Sequence, residues 1–89
     1  MIKNKITIIN KLGLHARAAA KLVKTAAAFS SQIQIGNEQR MVDAKSIMSV
    51  MMLAASKGTT VQLEADGSDE ILAMDAIEKI INDKFGEDQ

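Results

Sequence analysis

The sequence predicts an α+β fold, a four-stranded antiparallel sheet with three helices on one face, and three observations predict it. Apolar residues alternate with polar ones in four short stretches. They recur at helical spacing in three others. The stretches follow one another as strand, helix, strand, strand, helix, strand, helix. Alternation gives each strand one wet face, which suits an antiparallel sheet covered on one side only, an open-faced β-sandwich in βαββαβα order. No linker, repeat or low-complexity segment interrupts the chain, so residues 1–89 are read as a single domain.

Each element has its own signal. Ile2, Ile6 and Ile8 alternate with Lys3, Lys5 and Thr7 as a first strand. After a break at Gly13, Ala19, Leu22, Val23, Ala26 and Phe29 recur at helical spacing from Ala16 onward, in an alanine-rich stretch that Ser30-Ser31 ends. Ile33 and Ile35 alternate with Gln32 and Gln34; Gly36-Asn37-Glu38-Gln39 reads as a turn, and Arg40-Met41-Val42 returns as a short third strand. Ser46 is the N-cap of a helix of two or three turns whose inward stripe is Ile47, Val50 and Ala54, closed by Lys57-Gly58. Val61, Leu63 and Ala65 mark the fourth strand. Asp66-Gly67 then turns the chain into Ser68, a second N-cap, with Asp69 and Glu70 favourable to the dipole of the last helix. Ala73, Ile77, Ile80, Ile81 and Phe85 form the buried side of that helix, and Gly86 stops it.

Composition excludes several classes. With 47% hydrophobic residues the chain can build a core, and with no cysteine it has no disulfide, thiolate nucleophile or cysteine-based zinc site. No apolar stretch approaches the ~20 residues of a membrane span, and the start lacks the apolar region of a signal peptide, so the chain is expected in the cytoplasm without membrane insertion. Net charge is zero and Trp and Tyr are absent, which disfavours nucleic-acid binding. The zero hides a polarised chain. Met1 to Asn37 carries Lys3, Lys5, Lys11, Arg17, Lys21 and Lys24 with no acid, whereas the acids gather from Glu64 onward. A basic first half points to anionic chemistry; the acidic last helix reads as a solvated face.

The one histidine, His15, follows Gly13-Leu14 and precedes a helix, with Arg17 two positions later. The first amides of a helix lack internal partners and carry partial positive charge, so Ala16, Arg17 and Ala18 offer backbone N–H groups to an anion. Arg17 adds a guanidinium able to bind two oxygens at once. Neighbouring positive charge and the dipole favour a neutral, nucleophilic ring. The constellation suits a covalent phosphohistidine in which the ring nitrogen attacks phosphorus while the amides and Arg17 receive the oxygens. A surface or capping histidine is the plainer reading of position alone. A metal site is not expected, because neither a second histidine nor a cysteine completes a shell.

Gly13-Leu14-His15-Ala16-Arg17 resembles the active-site motif of the HPr family, phosphocarriers of the bacterial phosphoenolpyruvate-dependent phosphotransferase system, and Lys45-Ser46-Ile47-Met48 resembles that family's regulatory-serine segment. The similarity runs from the first strand to the last helix. It implies a carrier, not an autonomous enzyme: His15 accepts a phosphoryl group on Nδ1 from phosphorylated enzyme I, Arg17 stabilises it, and a histidine of an enzyme IIA domain receives it. It also implies phosphorylation of Ser46 by HPr kinase/phosphorylase, service in sugar uptake or in a nitrogen-related regulatory branch, and no cofactor. The chain departs from the family at Ala18, where proline is usual. Alanine leaves one more N–H near the site and forgoes about 0.4–1 kcal/mol of unfolded-state restriction.

Methionines gather at Met48, Met51 and Met52, more than a short helix can bury. Leu14, Ile47, Met48 and Met51 are therefore expected to form an adaptable docking patch, with Lys21 and Lys24 steering charge at its rim, on a chain that works as a monomer. The competing reading is an allosteric interaction module that uses the same face without phosphoryl transfer. A small ligand-binding domain is a third, weaker one.

Overall fold

The computed structural model describes residues 1–89. Its elements are β1 (Ile2–Thr7), α1 (Ala16–Ala27), β2 (Gln32–Gly36), β3 (Met41–Asp43), α2 (Ile47–Met52), β4 (Thr60–Asp66) and α3 (Glu70–Asn82), in the expected order. All strand pairs are antiparallel, in the spatial order β1-β4-β2-β3. Ile6 stands opposite Val61, Ile33 opposite Ala65, and Ile35 between Leu63 and Val42. The apolar sets of all four strands thus share one face. Leu22 and Ala26 of α1, Val50 of α2, and Ala73, Ile77 and Ile81 of α3 close over that face, and the core is continuous. Lys3, Lys5, Gln32 and Asp43 stay exposed on the strands.

β1 departs from a simple apolar pattern at Asn4, whose Nδ2 donates to Glu78 Oε1 on α3 at 2.6 Å. α2 carries one fully buried residue, Val50. Ile47 is 39% exposed, and Ala54 lies beyond the helix, exposed, with φ +50. The inward stripe expected of this helix is therefore corrected to Val50, with Leu53 packed against the core just past the helix. A helix of six residues is under two turns long, so it directs few side chains inward.

The N-cap of α3 is corrected from Ser68 to Asp69. The Asp69 carboxylate does not bond its own helix. It accepts from Ser30 N–H at 2.9 Å, from Ser31 N–H at 2.9 Å and from both serine hydroxyls, tying the end of α1 to the start of α3. Those hydrogen bonds, that of the Ser31 side chain foremost, lower its carboxyl to about 2. Glu70 serves the helix start instead, accepting from Gly67 N–H at 3.1 Å.

α3 ends at Asn82, earlier than the apolar periodicity suggests. Phe85 lies in a left-handed turn, with φ +56 at Lys84, +55 at Phe85 and +78 at Gly86. Two consecutive residues with a Cβ in this region cost roughly 1–2 kcal/mol each. Burial of the Phe85 ring, 1% exposed, offsets that cost. Lys21 Nζ on α1 also donates to Phe85 O at 2.6 Å. The turn sends the last residues back across the N-terminus of α1, where Lys11 N–H donates to Gln89 O at 2.9 Å. No helix is long and apolar enough to cross a membrane.

Candidate functional site

The segment between β1 and α1 is fixed by its backbone. Gly13 has φ +66, and a Cβ there would lie 2.5 Å from Ala55 O, so only glycine allows this approach. The approach lets Leu14 N–H donate to Ala55 O at 2.8 Å. Asn10, fully buried, donates from Nδ2 to Gly13 O at 2.8 Å. Leu14 is 5% exposed and belongs to the core; its expected place in a docking patch is corrected. Its side chain anchors the loop from below while the next residue faces outward. Leu12, 66% exposed, is the apolar residue that reaches the surface here.

His15 is the N-cap of α1 with extended backbone (φ −73, ψ 176), and its ring makes no cap hydrogen bond. The amides of Ala16, Arg17 and Ala18 find no acceptor in the chain; the first satisfied one is Ala19 N–H, bonded to His15 O at 2.8 Å. Arg17 is exposed and makes no ion pair or hydrogen bond. His15 and Arg17 line an open depression of about 430 Å³ together with Lys11, Leu12, Glu87, Asp88 and Gln89.

The ring is not surrounded by positive groups alone, as the sequence suggested. His15 Nε2 lies 2.5 Å from Glu87 Oε2, and the other carboxylate oxygen accepts from Asn10 Nδ2 at 3.1 Å. The hydrogen bond from His15, with a smaller one from Asn10, holds the Glu87 carboxyl below the usual carboxylate range against the opposing effect of burial. Nε2 is thus engaged and Nδ1 has no partner within the chain. Glu87 and Asn10 escaped the sequence reading. One is 72 positions from His15, and the other is an uncharged polar residue between Ile9 and Lys11 that belongs to no motif.

Ser46 caps α2 as expected, its Oγ accepting from Ser49 N–H at a long 3.4 Å. Along α2, Ile47, Met48, Met51 and Met52 are 39%, 68%, 40% and 61% exposed, a contiguous apolar surface. Lys24 is exposed in the last turn of α1. Lys21, also exposed on α1, donates from its ammonium to the Phe85 carbonyl, a neutral acceptor that leaves its charge in place.

Comparison with known proteins agrees with this geometry. The family model described as PTS HPr component phosphorylation site matches residues 2–83. The phosphocarrier protein HPr of Cupriavidus necator is 59% identical over 87 residues, 98% of each chain. That of Neisseria meningitidis serogroup A is 53% identical over 87 residues, again 98% of each. The crystal structure of HPr-C-His from Thermoanaerobacter tengcongensis superposes with a TM-score of 0.96 at 48% identity, covering 100% of both chains. With its βαββαβα sandwich and a histidine at the free N-terminus of the first helix, the chain belongs to the HPr family of phosphotransferase-system phosphocarriers, proteins that carry a phosphoryl group and are not enzymes.

Proposed function

We propose that His15 is the phosphoryl-carrying residue, charged on Nδ1 by phosphorylated enzyme I and discharged to a histidine of an enzyme IIA domain. The observation that carries this reading is the pairing of His15 Nε2 with Glu87, which leaves Nδ1 free at the mouth of an unsatisfied helix N-terminus. The Nδ1 lone pair attacks phosphorus, the N–P bond forms as the bond to the donor breaks, and the donor keeps that electron pair. The Ala16 and Arg17 amides and the Arg17 guanidinium are the available donors for the phosphoryl oxygens, whereas Ala18, expected among them, is fully buried in the core. None of these donors needs to break an existing contact first.

Ile47, Met48 and Met51 form the docking surface for donor and acceptor, with the exposed Lys21 and Lys24 of α1 steering charge. Flexible thioethers accommodate dissimilar partners. Phosphorylation of Ser46 by HPr kinase/phosphorylase regulates that encounter, and the carrier works in the cytoplasm, in sugar uptake or a nitrogen-related regulatory branch. Incubation with phosphoenolpyruvate and enzyme I, followed by intact mass, tests the central claim. One acid-labile phosphate is expected on the wild type and none on His15→Ala. A wild type that docks without gaining phosphate is an interaction module.

A further inference from the structure

We propose that Glu87 is a positioning residue for His15: its carboxylate, which only accepts hydrogen bonds, holds the imidazole in the tautomer protonated on Nε2 and so keeps Nδ1 unprotonated for the phosphoryl group. This rests on the transfer reading given above. The contact is built, not incidental. Phe85 is buried, Lys21 holds the Phe85 carbonyl, and the left-handed turn at Lys84–Gly86 delivers Glu87 to the ring with its side chain 17% exposed. The second carboxylate oxygen is claimed by Asn10 Nδ2, which also donates to Gly13 O. Both neighbours of that amide are acceptors, so its NH2 group faces them; the Oδ1 atom is buried without a partner. Glu87 is therefore held at both oxygens, one by Asn10 and one by His15. When Nδ1 forms its bond to phosphorus and the donor's bond breaks, the ring keeps the Nε2 proton and becomes cationic. Glu87 faces that charge from the nitrogen remote from the phosphoryl group.

The arrangement yields an ordering of variants that a shape-only role would reverse. In Glu87→Gln the side-chain oxygen stays with Asn10, so the new NH2 faces His15. Nε2 must then accept, and the ring proton moves to Nδ1. In Glu87→Ala water replaces the carboxylate and both tautomers are populated. The near-isosteric Gln variant is thus expected to be the slower of the two. Replacing a carboxylate by its amide beside a catalytic histidine is costly for this reason. The experiment measures phosphorylation by enzyme I at saturating phosphoenolpyruvate, alongside the ring nitrogen shifts of His15 in 15N-histidine-labelled protein. Glu87→Gln should lower kcat about 10-fold or more with KM for the carrier unchanged, and Glu87→Ala about 3-fold. The spectra should show the proton on Nε2 in the wild type and on Nδ1 in Glu87→Gln. A Gln variant faster than Ala, or ring shifts alike in all three proteins, overturns the proposal. A wild type that accepts no phosphate overturns the transfer reading, and the ring spectra still decide the role of Glu87.

Discussion

Gly13→Ala is the substitution in which backbone geometry and function meet. The new Cβ would lie 2.5 Å from Ala55 O and 2.8 Å from the Ser56 Cα, both backbone atoms that cannot rotate aside. Left-handed backbone at φ +66 adds about 1–2 kcal/mol for a residue with a Cβ. Separating the two segments also stretches the Leu14 N–H bond to Ala55 O, and a buried donor left without a partner costs about 1–3 kcal/mol. The smaller conformational freedom of alanine in the unfolded chain returns roughly 0.4–1 kcal/mol. The net loss is about 2–4 kcal/mol, or a fall in Tm of roughly 10–25 °C for a domain of this size. Gly58→Ala is the control, because Gly58 has φ +90 and nothing within 4 Å of a new Cβ. It should lose only the conformational part, about 1 kcal/mol. Urea unfolding of the wild type and both variants measures the difference, with transfer from enzyme I read in parallel. If Gly13→Ala is no less stable than Gly58→Ala, the close approach to Ala55 is not what holds the loop beneath His15.

Met48, 68% exposed, lacks core contacts to lose, so Met48→Glu should change stability by less than about 0.5 kcal/mol while weakening docking on enzyme I about 10-fold or more, read by NMR titration. Unchanged affinity with a large fall in Tm would make the side chain core. Ser46→Asp keeps an effective N-cap and adds an anion where the α2 dipole favours it. Tm should hold while transfer slows severalfold through charge beside the docking face, whereas equal rates for wild type, Ser46→Ala and Ser46→Asp leave the serine a cap alone. Asp69 titrates at about 2 in the folded chain and 3.8 unfolded, so its contribution is complete above pH 3.8 and disappears as pH falls through about 2. Asp69→Asn should be less stable at neutral pH and show a shallower loss across that acid window; parallel pH-stability curves would exclude the serine clamp.

How much of this was legible depended on distance along the chain. Period-two stretches such as Val61, Leu63 and Ala65 are local signals, and they sit on the buried face as read. His15 and Arg17 were legible because a helix start and its free amides are local too. Glu87 was not, since it reaches His15 only through a turn that Lys84 and Phe85 have no intrinsic tendency to form. Apolar periodicity carried Phe85 onto α3 because burial looks the same from a helix or a turn. Leu14 misled for a related reason: beside a surface histidine, an apolar residue reads equally as patch or anchor. Ser68 and Asp69 are both capping residue types, and only the serines at the end of α1, 38 or 39 positions away, decide between them.

The strand order β1-β4-β2-β3 leaves two margins at which the sheet could add a strand from another molecule. β3 is three residues long, too short to seed a stable addition, and the Asp43 side chain at its end accepts from Lys45 N–H. β1 is six residues long and exposes Lys3 and Lys5. A second copy aligned along β1 would bring four ammonium groups into one short stretch, and their mutual repulsion works against the new ladder. Both borders thus discourage lateral growth of the sheet by strand addition.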